Sequence, residues 1–162
     1  MIRLATENDI KIILKIFDNA KLFMIKTNNK TQWQKNYPNC LIVEQDIKNK
    51  NCYVITENTE IVGVFSFIIG VEKTYNKIDG AWNYSLPYGT IHRLASNNKT
   101  KNIAKKCFDF CFSITPYIRI DTHKNNLPMQ KAILNYGFKE CGIIYVRDNS
   151  KRIAYDLYKL QK

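Results

Sequence analysis

The sequence lacks the features that mark a membrane-bound or secreted protein. Among its 162 residues the longest apolar run is Ile61 to Val71, well short of the roughly 18 residues that a membrane-spanning helix needs. The first residues include Arg3, Glu7 and Asp9 in place of the apolar core of a secretory signal peptide. We therefore expect a cytoplasmic protein with no membrane partner.

Cysteine is scarce and its spacing excludes a zinc site or a disulfide framework. The five cysteines, at 40, 52, 107, 111 and 141, form no CxxC pair, and their number is odd. Cys107 and Cys111 recur at helical spacing among phenylalanines, a pattern typical of small buried side chains in a reducing compartment. We expect no metal.

Acidic residues are also few: 14 Asp and Glu stand against 25 Lys and Arg, which gives a net charge of +11. Two explanations stay open, because lysine occurs along the whole chain with Asn and Ile. The charge reflects either the base composition of the genome or a polyanionic partner, a nucleic acid or a phosphorylated cofactor. The chain has no arginine-rich tail and no basic helix with interleaved aromatics, so we expect no nucleic-acid partner.

What the chain does contain is a regular alternation of strand and helix patterns. The length, 45% hydrophobic content and 24% charged content indicate one soluble domain over residues 1–162. The periodicities predict the order β-α-α-β-β-β-α-β-α-β-β. The predicted strands are 2–5, 52–56, 61–69, 88–96, 117–122, 138–147 and 152–158, and the helices are 10–27, 41–48, 103–114 and 125–136.

This order predicts a mixed α/β (or α+β) sheet with helices on both faces. Strands 88–95 and 117–122 are joined by a helical crossover, so we expect them to be parallel. The segment 72–87 is expected to be a long loop, and long loops in compact domains tend to be functional. In the helix at 103–114 the spacing places Ile103, Cys107, Phe110, Cys111 and Ile114 on the buried face.

The most informative stretch is the strand, turn and helix over residues 88–114. The turn at 97–102 is rich in asparagine, and it leads directly into the helix. A helix N-terminus presents unpaired N–H groups and a positive dipole, so this turn is suited to an anion. Lys99, Lys101, Lys105 and Lys106 would surround it. The alternative is an ordinary strand-to-helix connection with solvated lysines.

Three local patterns accompany this element order. They are His92-Arg-Leu-Ala-Ser96 leading into Lys99-Thr-Lys-Asn-Ile-Ala104; Asn126-x-x-Met129 running to Gly137-Phe138; and Asp121-Thr-His-x-Asn125 with Cys141-Gly-Ile-Ile144 and Arg152-Ile-Ala-Tyr155. Together they resemble the GNAT superfamily of acetyl-CoA-dependent N-acetyltransferases, and the third resembles a bacterial subgroup of small uncharacterised members. The resemblance covers essentially the whole chain. It implies a mostly antiparallel twisted sheet of about seven strands with a central parallel pair.

The resemblance also implies acetyl-CoA as co-substrate and a small-molecule or peptide amine as acceptor. The turn at 97–102 takes the place of the family's pyrophosphate loop, and the main chain of residues 94–96 would meet the pantetheine and the oxyanion. The implied cofactor contacts are Leu94, Ala95, Ser96, Lys99, Lys101, Asn102, Ile103, Ala104, Lys105, Asn126 and Met129.

Direct attack of an amine on a thioester needs a general base, and the sequence offers two candidates. Histidine is the residue type whose ordinary pKa lies near neutral pH, so His92 is the first candidate. Simple alternation places it on one strand face with Thr90 and Leu94, so it is either the base or a hydrogen-bonded core histidine. Glu72, at the end of a strand, is either a second base or a solvated carboxylate.

The substrate side is less defined by the sequence. Trp33, Tyr37, Tyr75 and Trp82 flank irregular segments and form either a pocket wall or a satellite of the core. Arg93 and Asp121 lie on neighbouring predicted strands, where they either pair with each other or orient a substrate.

The chain departs from the family pattern at three positions. Lys99 replaces Gln or Arg, Asn102 replaces a preferred Gly, and Ile133 stands where the family commonly has a general-acid tyrosine. Asn tolerates the left-handed backbone that such a turn requires. An active N-acetyltransferase is therefore one hypothesis, and a catalytically weak acyl-CoA-binding or regulatory module is its alternative. A basic nucleic-acid-binding protein rests on charge alone, and a homodimer stays open.

Overall fold

The computed structural model describes residues 1–33 and 36–160, which form one eight-stranded sheet flanked by four helices. The strands are β1 Ile2–Leu4, β2 Cys52–Glu57, β3 Glu60–Ile69, β4 Ile78–Gly80, β5 Gly89–Ser96, β6 Tyr117–Thr122, β7 Lys139–Tyr145 and β8 Lys151–Tyr158. The helices are α1 Ile10–Lys26, α2 Cys40–Lys48, α3 Ile103–Ile114 and α4 Leu127–Tyr136, with 3-10 turns at Glu7–Asp9 and Lys73–Tyr75. No helix within the described ranges is long and apolar enough to cross a membrane.

The strand order is β1-β2-β3-β5-β6-β8-β7-β4, and every neighbouring pair is antiparallel except β5 and β6. The predicted mixed sheet with one central parallel pair is confirmed. The sheet has one strand more than the seven predicted, and this additional strand, β4, lies in the segment predicted as a loop. It pairs with β7 where Gly80 and Gly142 face each other at φ of 135° and 139°. A Cβ on either glycine would collide with the opposite main chain, so this edge pairing depends on both lacking a side chain.

The two faces of the sheet have different covers. Alternate residues of β3 divide between them: Phe65 packs with α3, whereas Val64 packs with α1 and α2. In β6, Ile118 belongs to the α3 side and Tyr117 to a third cluster with Tyr75 and Tyr88. The face opposite α3 is therefore covered in two parts, by α1 and α2 over β2 and β3, and by the 70–88 segment over β6 and β8. The candidate site lies between these parts.

Local sequence signals mark the ends of two helices. Thr6 and Asp9 form the capping box, with the Thr6 N–H donating to Asp9 Oδ2 at 2.7 Å. Asn126 caps α4 through its side chain, and Gly137 ends that helix at φ 112°. Four of the five cysteines are buried, in agreement with their predicted role as small core residues.

The buried face of α3 differs in part from the predicted one. Phe108 and Phe112 are buried, whereas Phe110 is half-buried and Ile114 is 45% exposed. Phe108 and Phe112 pack against the rings of Tyr136 and Phe138. Because Tyr136 of α4 and Phe138, just before β7, supply this second aromatic surface, the buried side of α3 faces them and Ile114 lies outside it.

Candidate functional site

The site begins where β5 and β6 separate. The two strands are paired only over Gly89–Ile91 and Ile118–Ile120, although β5 continues to Ser96 and β6 to Thr122. Beyond Ile91 the β6-facing edge of β5 therefore has no strand partner. Unpaired main-chain groups at such a position need hydrogen bonds from water or from a ligand.

A β-bulge at Arg93 shapes this edge. Two residues of β5, Arg93 and Leu94, lie opposite Phe65 of β3, and Arg93 has a left-handed φ of 53°. A non-glycine residue in this conformation costs roughly 1–2 kcal/mol, and bulges commonly redirect side chains beside active sites. The extra residue changes the alternation, so Leu94 packs on the α3 side. The expectation that Leu94 shares a face with His92 is wrong for this reason.

Arg93 is held by α2, which reaches the bulge from the other side. Its Nε and Nη2 donate to Asp46 Oδ2 at 3.0 and 2.6 Å, and Ser66 Oγ donates to the same oxygen at 2.6 Å. Nη1 donates to the Tyr37 hydroxyl at 3.2 Å. The expected pair between Arg93 and Asp121 does not form, because the bulge turns Arg93 toward α2.

The two base candidates are in contact with each other. His92 Nε2 lies 3.1 Å from Glu72 Oε2, and Glu72 Oε1 accepts hydrogen bonds from the Thr74 N–H and hydroxyl at 3.1 and 3.0 Å. The hydrogen bond from His92, together with those from Thr74, lowers the pKa of the Glu72 carboxyl to about 2. An ionised carboxylate only accepts hydrogen bonds, so Nε2 of His92 carries a proton. Nδ1 is then the ring nitrogen that can accept a second proton.

Beneath this pair lies a buried tyrosine. Tyr75 is 2% exposed, and its hydroxyl donates to Asp121 Oδ2 at 2.7 Å. Burial, and secondly the charge of Asp121, raises the pKa of Tyr75 well above its ordinary value. Trp82 donates to the Tyr75 carbonyl and stacks on the Arg119 guanidinium, whose carbon lies 4.2 Å from the ring centroid. These two aromatics therefore support the floor of the site.

A cavity of about 630 Å³ opens above these residues and passes between β5 and β6. Of the site residues predicted from the sequence, it is lined by Trp33, Tyr37, Glu72, His92, Arg93, Leu94, Asp121, Asn126 and Met129. The predicted residues that do not line it fall into three groups. They are Tyr75 and Trp82; Ala95 and Ser96 at the end of β5; and Lys99, Lys101, Asn102, Ile103, Ala104 and Lys105 in the following turn and the start of α3.

The turn at 97–102 presents an uncapped helix end. Asn102 has a left-handed φ of 63° and makes no side-chain cap to α3, unlike Asn39 and Asn126 at the starts of α2 and α4. Among the residues that the structure describes, no side chain accepts a hydrogen bond from the first-turn N–H groups of α3. The N–H groups of Lys99 and Thr100, by contrast, both donate to Asn97 Oδ1, at 3.0 and 3.1 Å.

The lysines around this turn are not equivalent. Lys105 pairs with Asp109 at 2.7 Å, and Lys106 pairs with Glu57. Lys99 and Lys101 are exposed and form no ion pair with any residue of the described ranges. Of the four predicted cations, these two remain available to an anion.

The usual tyrosine of the family has no counterpart on α4. Ile133 is fully buried in the α3-side core. The Tyr136 hydroxyl donates to Asp109 Oδ1 at 2.8 Å, and burial together with that bond raises the pKa of Tyr136. Tyr136 also packs against Phe108 and Phe112 on the side of the sheet away from His92.

Several polar contacts of the cavity were not identified from the sequence. Gln32 Oε1 accepts from the side-chain amides of Asn29 and Asn126 at 2.8 and 2.9 Å, and its main-chain oxygen accepts from Arg152 Nη2 at 3.1 Å. These bonds join the link after α1 to α4 and β8. The buried Thr122 hydroxyl lines the cavity and has no hydrogen-bond partner among residues 1–33 and 36–160.

His123 closes the next turn through its side chain. Its Nδ1 accepts from the Asn125 N–H at 3.1 Å, and its Nε2 lies 3.3 Å from the Thr31 hydroxyl. Burial, followed by the charges of Arg152 and Lys124, lowers the pKa of His123. No cluster of metal-ligating side chains occurs in the described part of the chain.

The chain is similar in structure to proteins of one family. An acetyltransferase of the GNAT family from Streptococcus agalactiae 2603 is 28% identical, with a TM-score of 0.90, and the match covers 99% of this chain and 96% of that one. The protein has the GNAT acetyltransferase fold. A Staphylococcus aureus Mu50 protein assigned as an acetyltransferase is 26% identical over 98% of both chains, with a TM-score of 0.73.

Another protein with this fold, from Salmonella typhimurium and solved with acetyl-CoA, is 13% identical with a TM-score of 0.64, over 100% of this chain and 95% of that one. No protein-family model and no curated protein sequence matches the chain. The GNAT neighbours support an acyltransferase, and in this fold β5 carries both the open edge and the bulge and leads through the turn at 97–102 to α3.

Proposed function

We propose that the protein transfers an acetyl group from acetyl-CoA to a primary amine, within a ternary complex and by direct attack. We take residues 1–162 as one catalytic domain that works in the cytoplasm. The observation that carries the proposal is the separation of β5 from β6 beside the uncapped N-terminus of α3. The open edge of β5 offers main-chain hydrogen bonds to an extended chain, and the N-terminus of α3 offers N–H groups to an anion.

The residues present fit acetyl-CoA in three places. The first-turn N–H groups of α3, with Lys99 and Lys101, would hold the pyrophosphate. The open edge of β5 at residues 94–96 would pair with the pantetheine amides. Asn126 and Met129, at the start of α4, line the cavity on the same side. Because Asn97 already occupies two N–H groups of the turn, we expect α3 itself to provide most of the anion contacts.

The acceptor amine must lose a proton before it attacks, because alkyl ammonium groups have pKa values near ~10.4. We assign His92 as the base, through Nδ1, and Glu72 as the group that orients the ring. A carboxylate with a pKa of about 2 is a poor base near neutral pH, so Glu72 is the positioning residue of the pair. Main-chain N–H groups beside the Arg93 bulge would stabilise the oxyanion.

The leaving thiolate does not require the missing tyrosine. As the C–N bond forms and the C–S bond breaks, the sulfur departs with the electron pair. A thiol has an ordinary pKa near ~8.5, so the thiolate is a stable leaving group that can take its proton from water. The presence of Ile133 at this position therefore means that a general acid is missing, but the main requirements of the reaction are still met.

Titration calorimetry with acetyl-CoA tests the binding part of the proposal. We expect Lys101→Glu to weaken binding roughly ten- to a hundredfold, the loss of one charge-assisted contact. Lys11→Glu makes the same change in net charge on the exposed side of α1, and we expect it to leave affinity within about twofold. Equal effects of the two substitutions, or no binding by the parent protein, would refute the assigned site.

The second candidate is an acyl-CoA-binding module with little transfer activity. Two observations favour it: Ile133 is buried in the core, and Tyr136 is committed to Asp109. It predicts acetyl-CoA binding without amine-dependent release of CoA thiol. Sustained thiol release with any amine of a broad panel would exclude it.

A further inference from the structure

Asp121 lies beside the proposed base at the point where the two central strands separate. Ile91 of β5 and Ile120 of β6 are paired in register, and both pack on the α3 side. The residues that follow them, His92 and Asp121, are therefore neighbours on the opposite face of the sheet. Both line the cavity. An acceptor that reaches His92 thus meets Asp121 as well.

A buried tyrosine holds Asp121 in this position. The Tyr75 hydroxyl donates to Asp121 Oδ2 at 2.7 Å, and the centroid of the Tyr75 ring lies 6.3 Å from that of His92. Tyr75 is 2% exposed, so its hydroxyl is fixed by the packing around it. Within residues 1–33 and 36–160, no group donates a hydrogen bond to the other carboxylate oxygen, Oδ1. Tyr75 therefore anchors one oxygen of Asp121 and leaves the second available to a ligand.

The other acidic side chains of the cavity each interact with a basic side chain. The three combinations are Asp46 with Arg93, Glu72 with His92, and Asp148 with Arg152. Asp121 differs from them, because it forms no ion pair with any residue in the described part of the chain, and its side-chain partner there is the neutral Tyr75 hydroxyl. A carboxylate in this setting is suited to a cationic hydrogen-bond donor.

The base and the carboxylate are placed to share one ammonium group. Asp121 and His92 form neither a hydrogen bond nor an ion pair with each other. An ammonium nitrogen carries three N–H donors, so one can reach Asp121 Oδ1 while another reaches His92 Nδ1, each at about 2.9 Å. With a pKa near ~10.4, fewer than about one alkylamine molecule in a thousand is neutral at neutral pH. A site that binds the ammonium ion therefore draws on almost all of the acceptor.

We propose that Asp121 binds the acceptor as its ammonium ion beside His92, so that the protein selects strongly basic primary amines over amines that are uncharged at neutral pH. The inference rests on the proposed function, because it names the substrate class of the same site. Asp121 is the substrate-binding residue, and Tyr75 is the positioning residue that holds it. Arylamines and O-alkylhydroxylamines, which are uncharged at neutral pH, are excluded as preferred acceptors.

Matched pairs of amines test this inference without turnover. Propylamine and phenethylamine are compared with O-ethylhydroxylamine and O-benzylhydroxylamine, in which an oxygen replaces a methylene and the nitrogen is uncharged at neutral pH. With CoA present, we expect at least one alkylamine to bind about tenfold or more tightly than its partner, the effect of one charge-assisted hydrogen bond. Asp121→Asn keeps an acceptor for the Tyr75 hydroxyl and should reduce this preference to about one. Asp18→Asn removes an exposed carboxylate of α1 outside the cavity, and the preference should stay within about twofold.

Turnover supplies a second measurement that a merely structural role would not move. In Asp121→Asn we expect the KM of the alkylamine to rise about ten- to a hundredfold, because its ammonium loses the carboxylate. The kcat/KM of the matched alkoxyamine should stay within about threefold, because that amine brings no charge. A fall of the same size for both members of a pair would show a general disturbance of the site and would refute the role of Asp121.

The outcomes separate this inference from the proposed function. Equal binding of the two members of each pair by the parent protein, binding of neither, or a preference that survives in a folded Asp121→Asn would overturn it. If Asp121→Asn does not fold, Asp121→Glu, which keeps the charge, should retain the preference, and its loss there would overturn the inference. Acetylation of alkoxyamines with kcat/KM values equal to those of alkylamines would uphold the transferase and overturn the ammonium site. Preferential binding of alkylamines without any acetylated product would uphold the ammonium site and overturn the transferase.

Discussion

Replacing Glu72 by Gln tests the proposed catalytic pair, His92 and Glu72, most directly. The carboxylate orients His92 by accepting from Nε2 at 3.1 Å. The Gln amide can instead donate to Nε2, which would move the ring proton to Nδ1 and remove the base. We therefore expect kcat to fall about 10²–10⁴-fold, the usual contribution of general base catalysis. The dissociation constant of acetyl-CoA should stay within about twofold, because Glu72 lies outside the proposed cofactor contacts.

The same substitution has a stability effect of known sign. The pKa of Glu72 falls from 4.5 to about 2 in the folded protein, which corresponds to about 3 kcal/mol at most. The side chain is 24% exposed, and solvent screening reduces this to roughly 2 kcal/mol. A lowered carboxyl pKa stabilises the fold above the unfolded value and loses that effect as pH falls toward 2. Parent and variant should therefore differ most above pH ~5 and converge in acid.

The fall in kcat is measured by thiol release at saturating amine, followed from pH 5 to about 9. The loss of stability is measured by urea unfolding. Glu60→Gln removes an exposed carboxylate at the β2–β3 hairpin and is the control, with no change expected in either assay. A Glu72→Gln protein that keeps its rate within threefold of the parent at every pH would refute the role of the pair.

Three further outcomes are expected from residues outside the pair. Asn102→Gly should keep acetyl-CoA affinity within about twofold in calorimetry, whereas Asn102→Val should lower stability by about 1–2 kcal/mol and weaken binding, because its φ is 63°. Ile133→Tyr should lower the free energy of unfolding by about 1–3 kcal/mol without raising kcat, because the site is fully buried. Asp9→Asn should lower the free energy of unfolding by about 1–2 kcal/mol above pH ~4, and this difference should disappear toward pH 2. The reason is that the hydrogen bond from the half-exposed Arg3 is the main cause that lowers the pKa of Asp9 to about 2.

Features encoded within a few residues were predictable from the sequence. The left-handed Asn102, the Asn126 cap and the Gly137 stop all follow from local backbone chemistry, and the parallel pair follows from the order of elements. The contact between His92 and Glu72 was not predicted, although each residue was selected separately. Its formation depends on the 70–88 segment folding back over β5, which no local pattern specifies.

Long-range contacts set the remainder of the site. Arg93 reaches Asp46, 47 positions away, only because a bulge turns it toward α2. Simple strand alternation cannot indicate an inserted residue, so the sequence pointed to Asp121 instead. Arg152 gave only a weak signal, because its strand β8 also carries the charged residues Lys151 and Asp156. The short strand β4 gave none beyond two glycines that are close in space and distant in sequence.

We propose above that acetyl-CoA bound between β5 and β6 gives its acetyl group to an amine activated by His92. The most direct test is amine-dependent CoA release over a panel of amino acids, peptides and alkylamines, with the product identified by mass spectrometry, for the parent protein and His92→Ala. We expect an N-acetylated product from the parent protein and a rate about 10²–10⁴-fold lower in the variant. Acetyl-CoA binding without any acetylated amine, or an unchanged rate in His92→Ala, would contradict it.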